Sequence, residues 1–85
     1  MPDQQSAVHN RLGVLRAERG WSRREVAERL NINNQTVGYI ERQDYSPSLE
    51  LALRMAQLFG LPVEALFSLT PMPPLSNEVF REHHR

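Results

Sequence analysis

The sequence predicts an all-α domain of five short helices. Apolar residues recur at helical spacing, as Val8, Leu12 and Leu15 do. Helix-starting residues, Ser22, Asn33 and Ser48, stand just ahead of later apolar runs. Gly20, Asn31 and Gly60, residues suited to ending helices, close the runs. The 85-residue chain divides into a loose tail over 1–6, one domain over 7–69 and a Pro-containing, irregular tail over 70–85.

The first helix is expected over 7–19, stopped at Gly20. Gly13 inside it lowers helix propensity and marks a close approach by a neighbouring helix. The second helix has a full start signal. Ser22 caps it, Glu25 stands three residues on, and Trp21 can staple to Val26. Val26, Ala27 and Leu30 continue its buried stripe. Asn31 ends it, being one of the few non-Gly residues that tolerate the left-handed conformation. Asn33 caps the third helix, with Ile32 placed to staple to Val37. Val37 and Ile40 face inward, whereas Asn34, Gln35, Gly38, Tyr39 and Arg42 face outward.

Ser48 caps a fourth helix over 49–59 that is apolar nearly all round. Leu49, Ala52, Leu53, Ala56 and Phe59 make one face, and Leu51, Met55 and Leu58 make a second. The second stripe is either a dimer seam or ordinary core. Pro62 opens a short fifth helix, PVEALFSL, whose Val63, Leu66 and Phe67 complete the core. The tail segment from Leu75 to Phe80 is a further candidate for the interface.

Composition narrows the function. There is no cysteine, hence neither disulfide framework nor thiolate zinc site, in keeping with a reducing cytoplasm. No apolar run is long enough to span a membrane, and MPDQQS lacks a signal-peptide layout. His9, His83 and His84 have no metal-ligand spacing. No nucleophile motif, Gly-rich phosphate loop or carboxylate pair on a common face appears, so neither an enzyme nor a cofactor is expected. The net charge is zero, but residues 11–42 carry seven Arg against four Glu. Every basic side chain is Arg, which suits bidentate phosphate and guanine contacts.

Residues 22–42 carry the functional signal. Two short helices join through a tight turn, and the second shows solvent a stripe of amides and a tyrosine. That is the pattern of a helix-turn-helix whose second helix lies in the DNA major groove. The run LRAERGWSRREVAERLNINNQTVGYIER, followed by YSPSLELALRMAQLFGLPVEALF, resembles the Cro/C1-type (Xre-family, lambda repressor-like) regulators of bacteria and phages. The resemblance covers roughly residues 10–68.

The resemblance implies a sequence-specific transcriptional regulator, a homodimeric repressor on a palindromic operator. It implies base reading by Asn34, Gln35 and Tyr39, and phosphate contact by Ser22, Arg23, Arg42 and the backbone around Asp44. It also implies a structural ion pair between Arg16 and Glu41. Departures from the family pattern are Arg23 in place of Gln, Asn31 in place of Gly, and Arg42-Gln43-Asp44 in place of Asn-Gly-Lys. Gly38 and Tyr39 also replace residues that are usually small or polar. A rival reading is a protein-interaction module, such as the antitoxin of a toxin–antitoxin pair, binding its toxin through the fourth helix or the tail.

Overall fold

The computed structural model describes residues 6–73. Strand β1 (His9–Asn10) leads into helices α1 (Leu12–Glu18), α2 (Arg23–Leu30), α3 (Asn34–Glu41), α4 (Leu49–Phe59) and α5 (Val63–Leu66). Strand β2 (Phe67–Ser68) then returns to β1. Five helices enclose one core, and the two short strands pair antiparallel, His9 opposite Ser68 and Asn10 opposite Phe67.

The starts of α2, α3 and α4 are set by side chains. Ser22 Oγ accepts from the Glu25 amide, and Glu25 Oε1 accepts from the Ser22 amide at 2.7 Å, so the capping box is complete. Asn33 Oδ1 accepts from the Gln35 amide, and Ser48 Oγ from the Leu51 amide.

The first four helices end alike. Just past each helix one amide reaches back five residues: Trp21 to Arg16, Ile32 to Ala27, Asp44 to Tyr39 and Leu61 to Ala56. The residue between, Gly20, Asn31, Gln43 or Gly60, has a positive φ. These are Schellman terminations, which satisfy carbonyls otherwise left open at a helix end. Asn31, at φ 58°, compresses the α2–α3 connection into a sharp turn.

The core gathers Leu12 and Leu15 from α1, Val26, Ala27 and Leu30 from α2, and Val37 and Ile40 from α3. Met55, Ala56 and Phe59 of α4 and Leu66 of α5 complete it, with Trp21, Ile32, Val63 and Phe67 packed at its margin. Polar ties brace it. Arg19 donates to the Phe59 carbonyl while its guanidinium lies 5.2 Å from the Phe59 ring. Arg29 sits 4.1 Å over Trp21, and Arg54 donates to the Leu30 carbonyl.

Three expectations are corrected. The first helix starts at Leu12, because Asn10 folds its Oδ1 onto the Leu12 amide and its Nδ2 onto the Ile40 carbonyl, holding the preceding residues extended. The fifth helix stops at Leu66, where Phe67 turns extended and the Leu66 carbonyl accepts from the Arg11 amide. Met55 is 0% exposed and belongs to the core, so it cannot line a dimer seam; Leu51 and Leu58 are half-buried beside the core. The apolar side chains of α4 left open are instead Leu49, 73% exposed, and Leu53, 50% exposed. The segment from Leu75 to Phe80, His83 and His84 lie outside the described residues.

Asn31→Ala should lower the unfolding free energy by about 1–2 kcal/mol, the penalty of a left-handed alanine. Asn31→Gly should not lower it. Urea denaturation of the three proteins checks both outcomes.

Candidate nucleic-acid interface

The Asn31 turn and the Asn33 cap fix how α3 leaves α2. Helix α3 is eight residues long, roughly 12 Å, and buries Val37 and Ile40. Asn34, Gln35 and Tyr39 consequently point to solvent. With Arg23, Gly38 and Arg42 they line one shallow recess of about 310 Å³. The recess therefore brings together all three expected base readers and two of the three side chains expected to contact phosphate. Ser22 is exposed at the start of α2 but does not line it. Its Oγ accepts the cap bond and retains an O–H to donate.

Gly38 departs from its expected outward placement. It is buried, covered by two side chains: a Cβ there would lie 3.1 Å from Arg42 Nη1 and 3.8 Å from Arg23 Cδ. Two guanidinium-bearing side chains thus cross the face of α3 over bare backbone. Arg42 is steadied further by Asp44, whose Oδ2 accepts from its Nε at 3.2 Å, and by Tyr39, whose ring centre lies 5.4 Å from its Cζ. Tyr39 in turn packs on Tyr45, with ring centroids 6.1 Å apart.

Glu41 supports this face from behind. Arg16 Nε and Nη2 donate to its two carboxylate oxygens at 2.7 and 3.3 Å, and Arg23 Nε donates at 2.9 Å. Arg16 also donates to the Trp21 carbonyl. The carboxylate is 7% exposed and sits 3.4 Å from where a Cβ on Gly13 would be, which is the close approach that Gly13 implied. Sequence reasoning missed the Arg23–Glu41 contact. The signal was available only as a second Arg on the face that Arg16 and Glu41 share.

The sharp turn, the buried back of α3 and its polar front define the chain as a helix-turn-helix module. Residues 13–66 match the helix-turn-helix family model. The chain belongs to the Cro/C1-type (Xre) family of helix-turn-helix transcriptional regulators. It is 40% identical over 62 residues to the uncharacterized HTH-type transcriptional regulator YgzD of Bacillus subtilis, covering 73% of this chain and 94% of that one. The uncharacterized HTH-type transcriptional regulator MJ0272 of Methanocaldococcus jannaschii is 36% identical over 60 residues, covering 71% and 91%. A crystal structure from Bacteroides fragilis shares the fold, with TM-score 0.65 at 24% identity over 72% of this chain and 98% of that one.

Among the described residues no helix is long and apolar enough to cross a membrane. Nor, among them, do three or more His, Cys, Asp or Glu cluster to hold a metal ion.

Glu41→Ala should cost about 3 kcal/mol, because it leaves the mostly buried Arg16 without its carboxylate. Combining Glu41→Leu with Arg16→Met should recover most of that loss. A double-mutant cycle in urea measures the coupling; additive losses would contradict the pairing.

Proposed function

We propose that this protein is a sequence-specific DNA-binding repressor that acts as a homodimer on a palindromic operator. One observation carries the reading: the α3 recess is lined by two guanidiniums, two amides and a phenol, with no carboxylate among its lining residues. That surface complements an anionic backbone and the donor–acceptor pattern of base edges. Zero net charge does not oppose this, because the positive charge is concentrated where the duplex would lie.

In this reading α3 enters the major groove. Gln35 pairs with adenine N6 and N7 through its amide, and Asn34 makes the same kind of contact or bonds a phosphate. Tyr39 packs on a thymine methyl. Arg23, whose side chain is half exposed and braced by Glu41, holds a phosphate near the start of α2. The Ser22 hydroxyl bonds the next one. Occluding a promoter is the regulation that a compact module achieves by binding alone.

Pairing of two copies would set their reading helices about one helical turn apart, roughly 34 Å. Leu49 and Leu53 support that pairing. They lie on one side of α4, and with Leu61 and Val63 they line an apolar groove that the monomer leaves open.

Two pairs of measurements check the reading. Gln35→Ala should weaken binding to the selected site about tenfold and relax preference at one base pair. Arg23→Ala should weaken binding to all sequences alike and reduce the salt slope by about one. Gel-shift titrations in which neither variant changes affinity would remove the site. For the dimer, Leu53→Glu should stay folded by circular dichroism, since the side chain is half exposed, and sediment as a monomer where the parent sediments as a dimer.

A further inference from the structure

We infer that Arg42 is a base-reading residue that recognises guanine, and that Asp44, Tyr39 and Gly38 exist around it to hold its guanidinium over the recess. This rests on the DNA-binding reading above and assigns a specificity that the reading did not contain.

The argument starts from the end of α3. Gln43 adopts φ 65°, and the chain doubles back so that the Asp44 amide bonds the Tyr39 carbonyl at 2.8 Å. Gln43 is pinned there by two bonds to Ser6: its carbonyl accepts from the Ser6 amide, and its Nε2 donates to the Ser6 carbonyl, each at 2.8 Å. This places the Asp44 carboxylate against Arg42 Nε. The Tyr39 ring flanks the guanidinium on another side, and Nη1 lies over Gly38. Arg42 is thereby directed back along the helix to the recess that Asn34 and Gln35 line, rather than outward past its end.

Such an arrangement suits a base better than a phosphate. Asp44 offsets the charge that would attract a phosphate, so long-range attraction is weakened. The donor fork survives. Asp44 occupies Nε alone, and among the described residues Nη1 and Nη2 make no hydrogen bond. Two adjacent N–H donors match guanine O6 and N7. Holding the side chain beforehand lowers the ordering cost of docking it. Gly38 fits the same account. A glycine inside a helix is unfavourable, yet a side chain here would crowd the fork from below. The acid at position 44 then serves as the brace of the reading arginine.

The test begins with selection of bound sites from a random duplex pool by the full chain, followed by titration of the selected half-site. The wild type should enrich a guanine at a fixed position, and replacing that guanine by 7-deazaguanine should weaken binding about tenfold. Arg42→Ala should lose the guanine from its own selected site and bind both duplexes equally. Gly38→Ala should lose the same preference without a lower melting temperature. Asp44→Ala should bind random DNA more tightly, having shed an acid, while discriminating less at that guanine. A structural role alone would not move those two readouts in opposite directions. An Arg42→Ala protein that selects the wild-type site and binds it weakly with a shallower salt slope makes Arg42 a phosphate contact and overturns the inference alone. Failure of the wild type to enrich any duplex overturns the DNA-binding reading, and this one with it.

Discussion

The carboxylate of Glu41 is where three helices are held together. Arg16 brings α1 to it, Arg23 brings α2, and Glu41 itself ends α3. A charge this enclosed is tolerable only with its oxygens fully engaged, and three N–H groups engage them. The contribution of such a cluster lies more in specifying one arrangement than in net stability. Apolar contacts among Val26, Leu30, Val37 and Ile40 would tolerate a small rotation of α3. A bidentate arginine on one side and a second arginine on the other would not. The orientation of the exposed face of α3 therefore follows from a contact on its hidden side.

Features set by neighbouring residues were legible in the sequence. The capping box at Ser22 and Glu25, the Asn33 and Ser48 caps, and the left-handed Asn31 all depend on residues a few positions apart. Features set by distant partners were not. The local bond from the Leu12 amide to Asn10 Oδ1 is only half of what holds Asn10 out of the helix; its Nδ2 is claimed by the Ile40 carbonyl, thirty residues away. Phe67 looks helical beside Leu66 until the strand at His9–Asn10 is there to pair with it. Met55 sits on a stripe that reads equally well as seam or core, and only its burial in the folded chain decides. The left-handed Gln43 was the least legible, since its conformation is supported by two bonds to Ser6 at the start of the described chain.

For the recess, sequence position identified the residues but not their division of labour. Asn34, Gln35 and Tyr39 are exposed, as the helical periodicity required. The crossing of Arg23 and Arg42 over Gly38 depends on rotamers selected by Glu41 and Asp44, which periodicity does not encode. Glu41 and Asp44, two of the ten acids that balance the ten arginines, are thus both turned to arginines. They subtract charge from the surface while adding rigidity to it.

The pairing of β1 with β2 has a mechanical consequence. His9 lies opposite Ser68 and Asn10 opposite Phe67, so tension applied through the two ends of the described chain meets these bonds one after another, as in opening a zipper. That geometry resists little force. Loading would open the two Ser6–Gln43 bonds and then detach the flanking strands, leaving the α2–α3 unit, braced by Glu41, to yield afterwards. Cargo attached at either end would strain the clasp before it disturbed the turn at Asn31.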